Sequence, residues 1–414
     1  MNMKIRLTVM NFLQFAVWGA WLITLGKYLG GELQLGSKIG SFYATMGLGS
    51  LFMPAIMGII ADRWVPAQKL LGICHLVAAA FMVVAASQTE YAPLYTAVLM
   101  SVMFYMPTIA LSNSVAYNAL EKAKLDTVKA FPPIRVWGTV GFIASMWCVD
   151  LLGFGHNASQ LYFSAAIGVV LGLYAFTLPN CDIVKGGDKR TFVDNLGLRA
   201  FSLFKERRMA LFFIFSMMLG MMLQITNAFG DSYIHSFSSL AEYKDAFFTK
   251  HSTILISLSQ VSETLCILLI PFFLKRFGIK NVMLISMVAW MLRFALLGAG
   301  NPGAGVWMFF ISMIVYGVAF DFFNISGSLF VNRETSPEIR SSAQGVFMIM
   351  TNGIGAIVGS YAAQWVVNST LTVDGMQSPL SWYIFAAFAL VMAVVFVLVF
   401  KYKHNPDEEV KLQH

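Results

Sequence analysis

The chain has 414 residues, 58% of them apolar and only 12% charged, with a mean hydropathy of +0.70. A soluble domain carries about 45–50% apolar and about 25% charged residues, so a water-soluble globule of this composition could not cover its own surface. The net charge of +7 is what loop charge gives a polytopic membrane protein, and it carries no signal of nucleic-acid binding.

Crossing the hydrocarbon takes about 20 mostly apolar residues. Twelve such segments follow one another, at 7–29, 39–61, 69–89, 92–119, 134–154, 159–179, 208–235, 250–274, 281–300, 304–331, 340–367 and 379–402. The basic start Met1–Arg6 runs into a first stretch too long for a signal-peptide core and without a small-residue cleavage site. Pro54, Pro107, Gly47 and Gly49 fall inside spans, where neighbouring groups can re-satisfy the freed backbone. Cys74, Cys148 and Cys266 lie in apolar stretches and show neither disulfide nor metal spacing. Phosphate loop, HExxH and GxSxG are missing, so an enzyme, a metal site, a cofactor and ATP-driven transport are not expected.

Of the 28 Lys and Arg, 22 fall on one side of this topology and four on the other, Lys27, Lys38, Lys244 and Lys250. That asymmetry puts both termini in the cytoplasm. The stretch 181–207, with Lys185, Gly186, Gly187 and Asp188, reads as a cytoplasmic linker. It separates six-helix bundles over 1–180 and 208–403, followed by a cytoplasmic tail at 404–414. An internal repeat agrees: Gly58–Trp64 after span two matches Pro271–Lys280 after span eight, each an apolar helix end followed by a charge and Arg.

Polar groups inside spans are costly and usually face the bundle interior. Span seven sets Gln224, Asn227 and Asp231 on one face, and span eight does so for Ser257, Gln260, Glu263 and Thr264. Span ten places Asp321 and Asn324 near Tyr316, Phe320 and Phe323, and span five opens with Arg135, Thr139 and Phe142 at i, i+4 and i+7. Amides can glue helices together, but glue needs no acids, and a buried acid can take up and release a proton. Carboxamides and carboxylates suit the hydroxyls of a neutral solute, while aromatic faces suit a flat ring. Together they read as a sugar joined to a ring. Gln14, Trp18 and Trp21 share a face of span one and read as cavity-lining or interfacial. Arg293 reads as a gate, a structural partner or a snorkelling residue, and Asp62 and Arg63 as a tie between helix ends. His75 and His235 show no partner pattern.

The runs Phe12–Leu22, Phe52–Trp64, Phe131–Ile143, Leu223–Gly230, Tyr316–Ser328 and Arg340–Gly345 resemble the nucleoside:proton symporter family of the major facilitator superfamily, and the likeness covers essentially the whole chain. The resemblance implies an all-α membrane protein, with twelve transmembrane helices in two pseudo-symmetric six-helix bundles. It implies import of purine and pyrimidine nucleosides with protons, by alternating access, across the bacterial cytoplasmic (inner) membrane, by a monomer in the bilayer that needs no cofactor. Carried over residue by residue, it makes Arg135, Thr139, Phe142, Gln224, Asn227, Gln260, Glu263, Tyr316, Phe320 and Asp321 substrate-binding. Glu263 and Asp321 are then the proton-coupling residues, and Asp62 and Arg63 belong to a gating turn whose second copy has Lys275 in place of the acid. The residues alone leave two other readings open, a proton symporter for a sugar or other neutral polar solute and a nucleoside receptor that does not transport.

Overall fold

The structure, a computed structural model, describes residues 2–181, 198–336, 339–370 and 376–402. Most of the expected linker and the expected tail at 404–414 lie outside the described residues. Among the described residues there is no β-strand. Nine helices among the described residues are long and apolar enough to cross a membrane, and shorter helices occupy the first, sixth and eighth span positions. The chain divides into two compact units, Met1–Thr191 with Asn227–Ser232, and Phe192–Thr226 with Tyr233–His414.

Unit 1 contains α1 (Met3–Gly19), α2 (Leu25–Gly30), α3 (Ile39–Arg63), α4 (Ala67–Ala86), α5 (Tyr91–Lys122), α6 (Thr127–Leu151) and α7 (Ser159–Ala175). The Asn2 side chain caps α1 by accepting from the Lys4 N–H at 3.1 Å. The first span was expected to be continuous over 7–29, but a turn at 20–24 splits it into α1 and α2. Such a break is tolerated only where freed groups find partners. Here the Tyr43 hydroxyl donates to the Leu22 carbonyl, and Thr24 Oγ1 donates to Gln160 Oε1 at 2.8 Å.

Helices in lipid associate through close packing more than through hydrophobic burial, and small residues allow the closest approach. A Cβ on Gly141 would overlap the Phe12 carbonyl, and one on Gly19 would overlap the Phe142 carbonyl. That is why α1 and α6 cross backbone to backbone. Leu7, Met10, Leu71, Val115, Ile134 and Leu171 fill the adjoining core.

Unit 2 contains α8 (Arg207–Ser236), α9 (Ser252–Ile267), α10 (Ile270–Ala299), α11 (Val306–Glu334), α12 (Arg340–Met348), a π-helical turn (Ile349–Gly355), α13 (Ala356–Thr370) and α14 (Pro379–Val399). The expected eighth span, 250–274, is interrupted after Ile267 and resumes as the first turns of α10. The expected loop before span nine is a corner at Gly278, with φ 74° and ψ 166°, a backbone region essentially confined to glycine.

The helix pairing repeats. In unit 1, besides the α1–α6 crossing, α4 packs with α5, α4 with α7 and α3 with α5. In unit 2, α10 packs with α11, α10 with α14 and α9 with α11. By span position these are the same three pairs, as an internal duplication requires.

Candidate functional site

In unit 1, α6 carries Arg135, Thr139 and Phe142. Arg135 and Thr139 are half-buried and Phe142 is buried. The Arg135 guanidinium lies 4.0 Å from the centroid of the Phe15 ring on α1, a cation–π contact. Phe142 meets Trp18 edge-on, at 6.3 Å and 87°, and Trp18 contacts Tyr105 at 5.8 Å.

Behind Trp18 and Tyr105 lies a network that the sequence did not disclose. Gln14 Nε2 donates to Thr108 Oγ1 at 2.7 Å, and the Tyr105 hydroxyl donates to the Gln14 backbone carbonyl at 2.8 Å. Gln14 Oε1 lies 2.8 Å from His75 Nε2, so His75 carries its proton on Nε2. His75 therefore has a partner, contrary to the expectation from its spacing. Gln14 and Trp21 are buried within the bundle, where Trp21 lines a small cavity with His75 and Tyr105, and Trp18 is half-buried.

The stretch Asn227–Ser232 of α8 groups with unit 1. Asn227 is half-buried there. Asp231 Oδ2 lies 3.2 Å from Lys27 Nζ, with both side chains buried. Lys27 was expected as a loop charge at the outer surface; it is an interior cation because the broken first span carries it inward on α2.

Unit 2 holds six of the expected residues and brings five of them, on α9 and α11, against one another. Gln224 on α8 is buried and its Oε1 has no hydrogen-bond partner. On α9, Gln260 and Glu263 are half-buried, and the Gln260 side chain adjoins the Tyr316 hydroxyl. On α11, Tyr316 and Phe320 stack in parallel at 5.9 Å and 7°, the i, i+4 relation that one helix face provides. Asp321 is 3% exposed and its Oδ2 has no partner. Glu263 lies close enough to Asp321 for their charges to act on each other. Arg293 does not snorkel: it is fully buried and its Nη1 donates to the Ser312 carbonyl at 2.7 Å.

A cavity in unit 2 is bounded by Leu219, Gly220, Leu223, Phe320, Asn324, Met348, Thr351 and Asn352. Thr351 and Asn352 belong to the π turn, a feature often found at functional positions, and neither was anticipated. Their signal was available, because the Thr-Asn pair interrupts an apolar span. Asp62 and Arg63 are exposed at the C-terminal end of α3. Among the described residues no cluster of three His, Cys, Asp or Glu could hold a metal ion.

A family model described as the nucleoside H+ symporter matches residues 1–405. The chain belongs to that family. Nucleoside permease NupG of Escherichia coli is 48% identical over 98% of this symporter and 97% of its own length. Xanthosine permease of the same organism is 49% identical, over all of this chain and 99% of its own. A crystal structure of a mutant of the nucleoside transporter NupG superposes with a TM-score of 0.94 at 47% identity, covering 97% of this chain and all of that one. The fold is therefore the twelve-helix major facilitator fold, and the relatives are permeases rather than enzymes.

In the symporter's second unit Gln260, Glu263 and Asp321 adjoin the Tyr316–Phe320 stack, and the same unit leaves two buried acceptor oxygens, Asp321 Oδ2 and Gln224 Oε1, without partners. Such oxygens are expensive to leave unpaired, and a ligand with hydroxyls or N–H groups would satisfy them.

Proposed function

We propose that this symporter imports nucleosides together with protons across the bacterial inner membrane, with both termini in the cytoplasm, and that it works as a monomer. The bundles would be residues 1–180 and 208–403, rocking to expose the site alternately to the two sides. The observation that carries the reading is the Tyr316–Phe320 stack on the helix that also holds the unpartnered Asp321 Oδ2, in the same unit as the unpartnered Gln224 Oε1.

In this reading Gln224, Asn227 and Gln260 bind ribose hydroxyls or polar edges of the base, and Tyr316, Phe320 and Phe142 offer ring faces. Arg135 and Thr139 complete the polar lining. Glu263 and Asp321, close enough for their charges to interact, hold the transported proton, since ionising both in a poorly hydrated site costs like-charge repulsion. Asp62 and Arg63 form the cytoplasmic gating turn. A sugar alone would leave the stacked rings idle, which favours a nucleoside.

Uptake of labelled uridine into proteoliposomes under an imposed pH gradient is the test. Accumulation should collapse when a protonophore removes the gradient and should resist excess free ribose. Accumulation indifferent to the gradient would overturn proton coupling, and competition by ribose would favour the sugar reading.

A further inference from the structure

We propose that Arg293 is a positioning residue for nucleoside recognition, one that fixes the Tyr316 ring and through it the stacked face of Phe320. The proposal rests on the reading of Tyr316 and Phe320 as a nucleoside-binding face.

Arg293 is wholly buried in α10, and no carboxylate lies within ion-pair distance of it among the described residues. Its guanidinium instead reaches both flanking helices. Nη1 donates to the Ser312 carbonyl on α11 at 2.7 Å and to Ser259 Oγ on α9 at 3.3 Å. Ser312 Oγ donates back to the Arg293 carbonyl at 3.0 Å, so the arginine and α11 are tied in both directions. The guanidinium carbon sits 4.6 Å from the centroid of the Tyr316 ring, one helical turn beyond Ser312. Trp290, one turn before Arg293, meets the same ring edge-on at 5.9 Å and 88°. Tyr316 in turn stacks on Phe320, and Phe320 lines the unit 2 cavity.

An apolar side chain would fill this space without burying a charge, and a buried, unpaired cation is disfavoured. What arginine adds is a planar fork that can bond two helices while lying against an aromatic ring, a combination lysine does not reproduce. The residues it bonds or faces, Ser259, Ser312 and Tyr316, are each within one helical turn of a proposed ligand-binding side chain or are themselves one. Arg293 thus acts on the ligand through Tyr316, without touching it.

A double-mutant cycle tests this, using the full-length protein, uridine binding by titration calorimetry and uptake kinetics in proteoliposomes. Arg293→Met should weaken uridine binding about tenfold and raise KM, with maximal uptake within about twofold of the parent. Tyr316→Leu should show a comparable loss, and the double variant should bind no more weakly than Tyr316→Leu alone, because coupled residues are not additive. Parental affinity in Arg293→Met, or losses that multiply in the double variant, would overturn the positioning role. An Arg293→Met variant that only melts earlier, with uridine affinity intact, would show a purely structural arginine and overturn it equally. If Tyr316→Leu itself binds uridine normally, the nucleoside-face reading falls and this proposal with it; a loss in Tyr316→Leu without one in Arg293→Met removes only the proposal. Should Arg293→Met not yield folded protein, Arg293→Lys enters the same cycle, with a smaller loss expected and the same criterion of non-additivity.

Discussion

Gln14 and Gln224 sit in the first helix of their respective halves, both in apolar surroundings, yet they are used in opposite ways. Gln14 engages both ends of its amide inside unit 1, donating to Thr108 and accepting from His75. Gln224 is also buried but leaves its oxygen without a partner. The acids divide in the same way: Asp231 pairs with Lys27, whereas Asp321 leaves Oδ2 unpartnered. Residue type and helical spacing do not separate structural glue from a binding group. In the proposed reading, what separates them is whether the hydrogen-bonding capacity is already used.

The largest effect that can break this comparison is at the acids. A pH difference of one unit is worth about 1.4 kcal/mol per proton, or about tenfold accumulation at one proton per nucleoside. Asp321→Asn and Glu263→Gln should each reduce that accumulation to none while leaving gradient-independent exchange of internal for external uridine. The thermal midpoint should hold for Asp321→Asn, because no hydrogen-bond partner of Oδ2 is lost. Full gradient-driven accumulation in both variants would remove the acids from coupling.

How much could be read in advance follows the same division. Hydropathy located the spans, because lipid imposes length and apolarity on every helix that crosses it. The Gln260–Glu263 and Tyr316–Phe320–Asp321 faces were visible because one helix holds each set and its period is fixed. The network of Gln14, His75, Tyr105 and Thr108 was invisible because it joins α1, α4 and α5, and no periodicity within one helix reports pairing across three. The break at 20–24 was missed for a similar reason. The groups that tolerate it, Tyr43 and Gln160, come from α3 and α7. The corner at Gly278 left a visible glycine, but not the left-handed φ that makes it a corner rather than part of a loop.

A paired substitution sharpens the amide contrast at intermediate magnitude. Gln14→Leu leaves the His75 N–H buried without an acceptor, a cost of about 1–3 kcal/mol, so unfolding in detergent should shift to lower temperature. Gln224→Leu removes a group with an unused oxygen and should leave the thermal midpoint unchanged, while weakening uridine binding by about tenfold or more through one lost hydrogen bond. Differential scanning fluorimetry and binding titrations on both variants give four readings. Loss of binding in Gln14→Leu with normal stability, or loss of stability in Gln224→Leu with normal binding, would reverse the assignment.

The smallest expected effect separates the ring from the sugar. Phe320→Leu keeps an apolar side chain against Tyr316 but removes a stacking face, and aromatic pairing is worth about 0.5–1.5 kcal/mol beyond the area buried. Uridine and adenosine should therefore bind about three- to tenfold more weakly, with the larger loss for the purine, whose extended ring has more face to stack. The effect is small because Tyr316 remains, held on α11 one turn away with Arg293 over its ring. An equal loss for free ribose, measured by competition, would mean that Phe320 shapes the cavity without stacking on the base. The unit 2 aromatics would then be packing, like the Phe212–Phe330 pair of the same unit, and the amides and acids would stand as the whole of the recognition surface in that unit.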